Sequence, residues 1–263
     1  MKFLFVIFSA FLICSATSAQ EVKKGTITGQ IMIKGNGPMA GGMVFVFNDA
    51  SGPPPSSDKY WRVPDTVVKI DAEGRFSTDL PAGKYYLGAK KAMTGKDIGP
   101  PQEGDLFYAF SVEKGTPKVY NVEEGKKTDL GVITGATPFR KESVKFNDGI
   151  TAIEGVIIDG ENTPVQGALV FAFLTPSMVG RPLFASERTG QDGKYILRVY
   201  EGGSYYLRVR STYGGGLPAA GEMIGAYGIK EPVAVTVKSG EKVKDITIQV
   251  RRFSGRGLKA PVK

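Results

Sequence analysis

Pro38-Met39-Ala40-Gly41-Gly42-Met43-Val44-Phe45-Val46-Phe47 returns further along the chain as Pro164-Val165-Gln166-Gly167-Ala168-Leu169-Val170-Phe171-Ala172-Phe173. Each stretch joins a proline–glycine turn to a short, almost wholly apolar run rich in aromatic side chains. Such a run, bounded by turn residues and shorter than an ordinary helix, reads as a buried β-strand. Its surroundings repeat too. Ile27-Thr28-Gly29-Gln30-Ile31 returns as Ile153-Glu154-Gly155-Val156-Ile157 at the same offset of 126 residues. Glu73-Gly74-Arg75-Phe76 matches Asp192-Gly193-Lys194-Tyr195, Gly83-Lys84-Tyr85-Tyr86-Leu87 matches Gly203-Ser204-Tyr205-Tyr206-Leu207, and Gly104-Asp105 matches Gly221-Glu222. A repeat this long is a whole small domain and not one solenoid unit.

Both units read as β throughout. Glu73-Gly74 and Asp192-Gly193 sit between extended segments, where a tight turn needs positive φ. Asn36-Gly37-Pro38 and Asn162-Thr163-Pro164 precede the second strand of each unit, a place suited to proline because it lacks a ladder donor. Many short strands with regular Gly and Pro turns predict an all-β chain of two tandem sandwiches. Phe45 and Phe171 are expected to be equivalent buried residues.

The first nineteen residues read as a cleavable signal peptide. Lys2 gives the positive start, Phe3 to Ile13 the apolar run, and Thr17-Ser18-Ala19 the small residues before cleavage at Gln20. The run is too short to span a bilayer, and no other apolar run approaches that length, so the mature chain is not expected to be transmembrane. Cys14, the single cysteine, lies inside the signal; Ile13 before it departs from the small residue of a lipoprotein signal. The expected organisation is a signal over 1–19, sandwiches over 25–135 and 150–253, a linker over 136–149, and a basic tail over 254–263. Export to the periplasm or the extracellular space follows.

Composition narrows the function classes. With no histidine, and no cysteine after the signal, the usual general base, the commonest metal ligands, disulfides and Ser-His or Cys-His pairs are excluded. A non-catalytic role without cofactor or metal is the expectation. The formal charge is +8, or about +7 once Lys2 is removed with the signal. That balance favours an anionic glycan or lipid surface, or an envelope protein, as partner. Nucleic acid is not expected for an exported chain with no nucleic-acid module.

The order Gly-x-Val/Ile, Pro-x-x-Gly-Ala-x-Val-x-Phe, Asp-Gly-x-Tyr, Gly-x-Tyr-Tyr-Leu resembles the carboxypeptidase regulatory-like domain. In the second unit it runs through Gly155, Pro164, Gly167, Ala168, Val170, Phe171, Asp192, Gly193, Tyr195, Gly203, Tyr205 and Leu207. The first unit departs at Gly42 and Glu73. The resemblance implies a transthyretin-like (prealbumin-like, Ig-like) β-sandwich in each unit and carries no catalytic residue.

Other motifs have plainer readings. Gly35-Asn36-Gly37-Pro38-Met39-Ala40 follows a strand but is followed by another strand, whereas a dinucleotide site needs a helix. Asp71-Ala72-Glu73-Gly74 has too few oxygens for calcium and reads as a hairpin turn. Asp105 and Glu222 hold matched positions, with loop N–H groups or a neighbouring cation as expected partners. The loops richest in interface residue types carry Tyr60, Trp61 and Arg62 in the first unit and Met178, Arg181 and Phe184 in the second, and these are the expected partner-binding residues. The function these features point to is a non-catalytic binding or structural module of a bacterial cell envelope. The alternatives are a carboxylate-dependent hydrolase acting on envelope carbohydrate or peptide, and a self-associating surface or filament subunit.

Overall fold

The structure, a computed structural model, describes residues 23–93, 98–110, 112–113, 116–143, 149–214 and 216–255. The expected signal segment, part of the expected linker and all but the start of the expected basic tail lie outside the described residues. The first unit holds β1 (Lys24–Ile33), β2 (Met43–Asn48), β3 (Trp61–Arg62), β4 (Thr66–Lys69), β5 (Arg75–Pro81), β6 (Gly83–Lys91) and β7 (Leu106–Tyr108). A small hairpin, β8 (Val112–Glu113) and β9 (Thr116–Pro117), leads to β10 (Tyr120–Val122) and β11 (Lys127–Pro138). The second holds β12 (Thr151–Ile158), β13 (Leu169–Phe173), β14 (Phe184–Ala185), β15 (Lys194–Val199), β16 (Gly203–Arg210), β17 (Met223–Ala226), β18 (Ala234–Val237) and β19 (Lys242–Arg252). No helix among the described residues is long and apolar enough to cross a membrane.

The units share one topology. Unit 1 pairs its strands in the order β4-β2-β6-β7-β11-β1-β5, with β10 also on β6. Unit 2 runs β14-β13-β16-β17-β19-β12-β15, with β18 on β16. In both, the first strand lies between a parallel and an antiparallel neighbour. The chain is thus two β-sandwiches with one design. The strand closing unit 1 runs to Pro138, three residues past the boundary expected at residue 135, because Thr137 and Pro138 still pair with Phe107 and Leu106.

The sequence matches recur as matched hydrogen bonds. The Ile31 N–H donates to the Gly74 carbonyl at 2.8 Å, and the Ile157 N–H to the Gly193 carbonyl at 2.9 Å. Gly74 and Gly193 have φ of 81° and 67°, where a side chain is strained. A Cβ there would also stand 2.7 Å from the Ile31 oxygen or 2.6 Å from the Ile157 oxygen. The Asp71 carboxylate ties its turn by accepting from the N–H groups of Glu73 and Arg75. The Tyr85 hydroxyl donates to the Pro81 carbonyl, as Tyr205 does to that of Glu201.

Alternation along β2 and β13 decides which side chains fill each sandwich. Val44 and Val46 point into the core of unit 1 with Ile27, Ile31, Phe76 and Leu87. Val170 and Ala172 do the same in unit 2 with Ile153, Ile157, Leu197 and Leu207. Phe45 and Phe171 are both buried, as expected, but on the opposite face of their strands. Phe45 and Phe47 cluster with Tyr86; Phe171 and Phe173 cluster with Met178 and Val63, the last a residue of unit 1. These strands are apolar on both faces because the second face is covered as well, partly by the neighbouring unit.

Candidate functional site: a clamp between the units

The unit repeat breaks between its second strand and the next edge strand. Residues 174–183 make this connection in unit 2, whereas residues 49–65 make it in unit 1 with β3 inside it. The longer loop begins with a short 3-10 turn, Asp49–Ser51, whose Ala50 N–H is capped by the Asn48 side chain. Pro53-Pro54-Pro55 follows and lacks N–H donors, so it favours an extended course away from the parent sheet. The loop then reaches unit 2. Trp61 pairs with Ala185 and Arg62 with Phe184, which makes β3 a ninth strand on the unit 2 sheet at its β14 edge.

Tyr60 enters the core of unit 2, although it belongs to unit 1 by sequence. Its ring meets Phe184 edge-on at 5.3 Å and Tyr200 at 5.7 Å, and its hydroxyl donates to the Pro54 carbonyl. Burial, followed by the nearby Tyr200, pushes the Tyr60 hydroxyl well above its ordinary pKa. Trp61 is sandwiched between the units. It packs edge-on against Phe107 at 6.1 Å and Phe139 at 6.2 Å in the first unit's part of the chain. On the unit 2 side the Arg198 guanidinium lies over its ring at 5.8 Å, and its indole N–H points to the Glu187 carboxylate at 3.4 Å. Arg198 and Glu187 pair at 3.1 Å. Burial lowers Arg198 to about 10, with Glu187 and Asp58 opposing the shift.

Arg62 anchors the loop to itself. Its guanidinium donates to the carbonyls of Asn48, Gly52 and Pro53, to Ser51 Oγ, and to Asp65 at 3.1 Å, and it lies over Phe47 at 5.6 Å. Burial lowers its pKa, and Asp65 opposes that shift. Asp65 also pairs with Arg181 of unit 2, whose other arm donates to the Val63 carbonyl at 2.7 Å. One carboxylate therefore ties together cations from both units. Charge-assisted pairs of this geometry are among the stronger polar contacts.

Of the six residues expected to meet an outside partner, Tyr60 and Arg62 meet Phe184, Arg62 and Arg181 share Asp65, and Met178 packs apart from them with Val63, Phe171 and Phe173. Tyr60, Trp61, Arg62, Met178 and Phe184 are buried, and only Arg181 keeps partial exposure. These side chains, expected at an outside contact, line the joint between the two units of one chain. The physical reason is desolvation. A loop this rich in aromatic area gains more from a matching apolar sheet edge held nearby at high effective concentration than from water. Sequence reasoning missed Asp65, Phe107, Phe139, Glu187 and Arg198. One signal was available, the unequal loop lengths of the two units together with a tryptophan that has no counterpart.

The matched carboxylates sit elsewhere, one inside each unit. Met43 faces Lys90 and Leu169 faces Arg210 in the ladders, so Lys90 and Arg210 are equivalent positions. Lys90 pairs with Asp105 at 3.6 Å, and Asp105 accepts from the N–H groups of Met93 and Gln102. Arg210 grips Glu222 with two bonds of 2.7 and 2.8 Å, and Glu222 accepts from Thr212 and Ala219. Burial alone would raise the Glu222 carboxyl, but the Arg210 guanidinium and the Ala219 and Thr212 N–H groups outweigh it and hold it below the usual carboxylate value. Both acids do the structural work expected of them, ordering the loop before β7 or β17.

No family model matches the chain. Two PII- and PIII-type proteinases of Lactococcus lactis subsp. cremoris, the latter from strain SK11, are each 30% identical to it over 125 residues, which is 42% of this chain. The matched part is 6% of each proteinase's own length. Among solved structures, BcpA, the major pilin subunit of Bacillus cereus, aligns over 88% of this chain and 100% of its own at 12% identity and a TM-score of 0.27. The Streptococcal ancillary pilin aligns over 88% of this chain and 64% of its own at 14% identity and a TM-score of 0.26. Similarity at this level does not carry the arrangement or the role of those proteins over to this chain.

Proposed function

We propose that this chain is an exported, non-catalytic structural and binding module of a bacterial cell envelope, built as two sandwiches locked into one rigid body. The observation that supports it most is the clamp: a loop insert of one unit supplies both an edge strand and a core side chain to the other. A joint of this kind resists the free relative motion that tandem domains otherwise show. The two units are read as carboxypeptidase regulatory-like sandwiches from the repeated Pro-x-x-Gly and Asp/Glu-Gly-x-aromatic turns. The signal-like start supports export, and the basic balance supports anionic envelope partners. Two experiments test the reading. Small-angle scattering of the mature chain is expected to fit one fixed arrangement of the units; a profile that needs an ensemble of orientations defeats the rigid-module reading. In a bacterial host the protein is expected outside the cytoplasm with Gln20 as its new N-terminus; intact protein confined to the cytoplasm defeats export.

A second reading is a self-associating surface subunit. The β3–β14 pairing shows that the unit 2 edge accepts an added strand, and the same exchange between copies would join units head to tail. Light scattering across a concentration series is expected to show growth of assemblies; a monomer throughout removes this reading.

A further inference from the structure

The outer sheet face is filled in unit 1, whereas in unit 2 the cover over Phe171 and Phe173 stops at Arg208 and leaves a groove across β17 and β19. In unit 1, Gly88 stands opposite Phe45 on the ladder, and Trp61 and the Arg62–Asp65 pair close over Phe45, Phe47 and Phe107, leaving room for only about 50 Å³. In unit 2 the position of Gly88 is taken by Arg208, opposite Phe171. Its guanidinium lies over Phe173 at 5.3 Å, as that of Arg62 lies over Phe47 at 5.6 Å. The parallel then ends. Arg62 has Asp65, whereas Arg208 is half-buried and among the described residues meets a ring and no carboxylate. Arg210 beside it is already neutralised by Glu222.

Arg208 borders a groove of about 1360 Å³ that runs across β17 and β19. Leu217 and Ile229 stand at its rim, 96% and 102% exposed, with Val233 at 51%. Its charged lining is Arg208, Lys230 and Arg251 against the single acid Glu231, with Arg210 paired. Exposed aliphatic side chains grouped beside an under-neutralised, half-buried cation offer both apolar area and charge to a partner.

We propose that this groove binds an extended peptide segment of a partner protein, with a carboxylate of the segment pairing with Arg208 and its apolar side chains seated against Leu217 and Ile229. Charge complementarity calls for the acid. A peptide is favoured over a glycan by the aliphatic rim and by the chain's own precedent, since unit 1 covers the equivalent face with an extended loop that brings Asp65 to Arg62. This site is independent of export and of the rigid clamp.

The test uses the mature chain and a short fluorescent peptide alternating leucine and glutamate, followed by anisotropy. Saturable binding is expected, with the glutamine analogue of the peptide at least ~tenfold weaker. Arg208→Gln is expected to weaken binding by a similar factor. Ile229→Ser, at a fully exposed position where folding is not at risk, should weaken it ~3–10-fold. Equal affinity for both peptides, or no change in either variant with an unaltered circular dichroism melt, overturns the proposal. So does binding of polygalacturonate or phosphatidylglycerol vesicles, lost in Arg208→Gln, without binding of the peptide; the groove would then serve a glycan or a lipid surface.

Discussion

Replacing Tyr60 by alanine is expected to destabilise the second unit, to which Tyr60 does not belong in sequence. The side chain is 3% exposed and packs among Phe184, Tyr205 and Leu207 in the unit 2 core. Truncating a buried aromatic of this size costs ~3–5 kcal/mol from lost transfer energy and the cavity left behind. That is a large share of the stability of a single domain. The loss should reach further, because without Tyr60 the β3 strand has little to hold it on β14. Trp61 is the only tryptophan and lies at the joint, so its fluorescence reports docking. Guanidinium titration of Tyr60→Ala is expected to show red-shifted tryptophan emission and an early transition for one unit, followed by a later one for the other. Residues 150–253 expressed alone, which lack both Tyr60 and the added strand, should melt lower than the same unit within the chain. A single unshifted transition in the variant would mean that Tyr60 contributes nothing to the second core. Unit 2 is complete only with a part of unit 1.

Glu222→Ala is expected to cost ~3–5 kcal/mol, because it leaves the Arg210 guanidinium buried with no counter-charge. The paired side chains are 9% and 3% exposed, so water cannot take the place of the lost carboxylate without opening the loop. Replacing both partners by apolar residues of similar volume should cost far less, since no uncompensated charge then remains. The pair also sets a pH dependence. The folded-state pKa of Glu222 is depressed, so its contribution is fully present above the unfolded value, about 4.3. It is lost as pH falls through the lower folded value. Urea melts between neutrality and strong acid should therefore show wild-type stability falling below about pH 4, with the Glu222→Gln variant less stable at neutral pH and flatter over the acid range. Equal acid sensitivity in both proteins would place the titrating groups elsewhere.

Much of the fold was legible in the sequence, and for identifiable reasons. The Asp/Glu-Gly turns before β5 and β15 are local devices, fixed by the need for positive φ and by a backbone oxygen within contact distance. The apolar runs of β2 and β13 are legible by length and composition. Matched positions also gave the roles of Asp105 and Glu222, since a carboxylate kept beside a glycine-rich loop in both units has loop N–H groups within reach. The face on which Phe45 and Phe171 lie was not legible. In a strand apolar at every position, alternation carries no information, and only the neighbours show which side is the sandwich interior.

Sequence by itself determined that the chain is all-β, that it is a tandem of two like units, where their turns fall, and that it has no histidine and a single cysteine, Cys14. It also singled out Tyr60, Trp61, Arg62, Met178, Arg181 and Phe184 as side chains that must meet something. What they meet was decided by tertiary structure alone. Residue type records how much area a side chain has to bury and which polar groups it needs to satisfy, but not whether the surface that buries it belongs to another molecule or to the same chain more than a hundred residues away. That choice rests on the path of one loop insert relative to one sheet edge, a non-local geometry with no local signature beyond the insert's extra length.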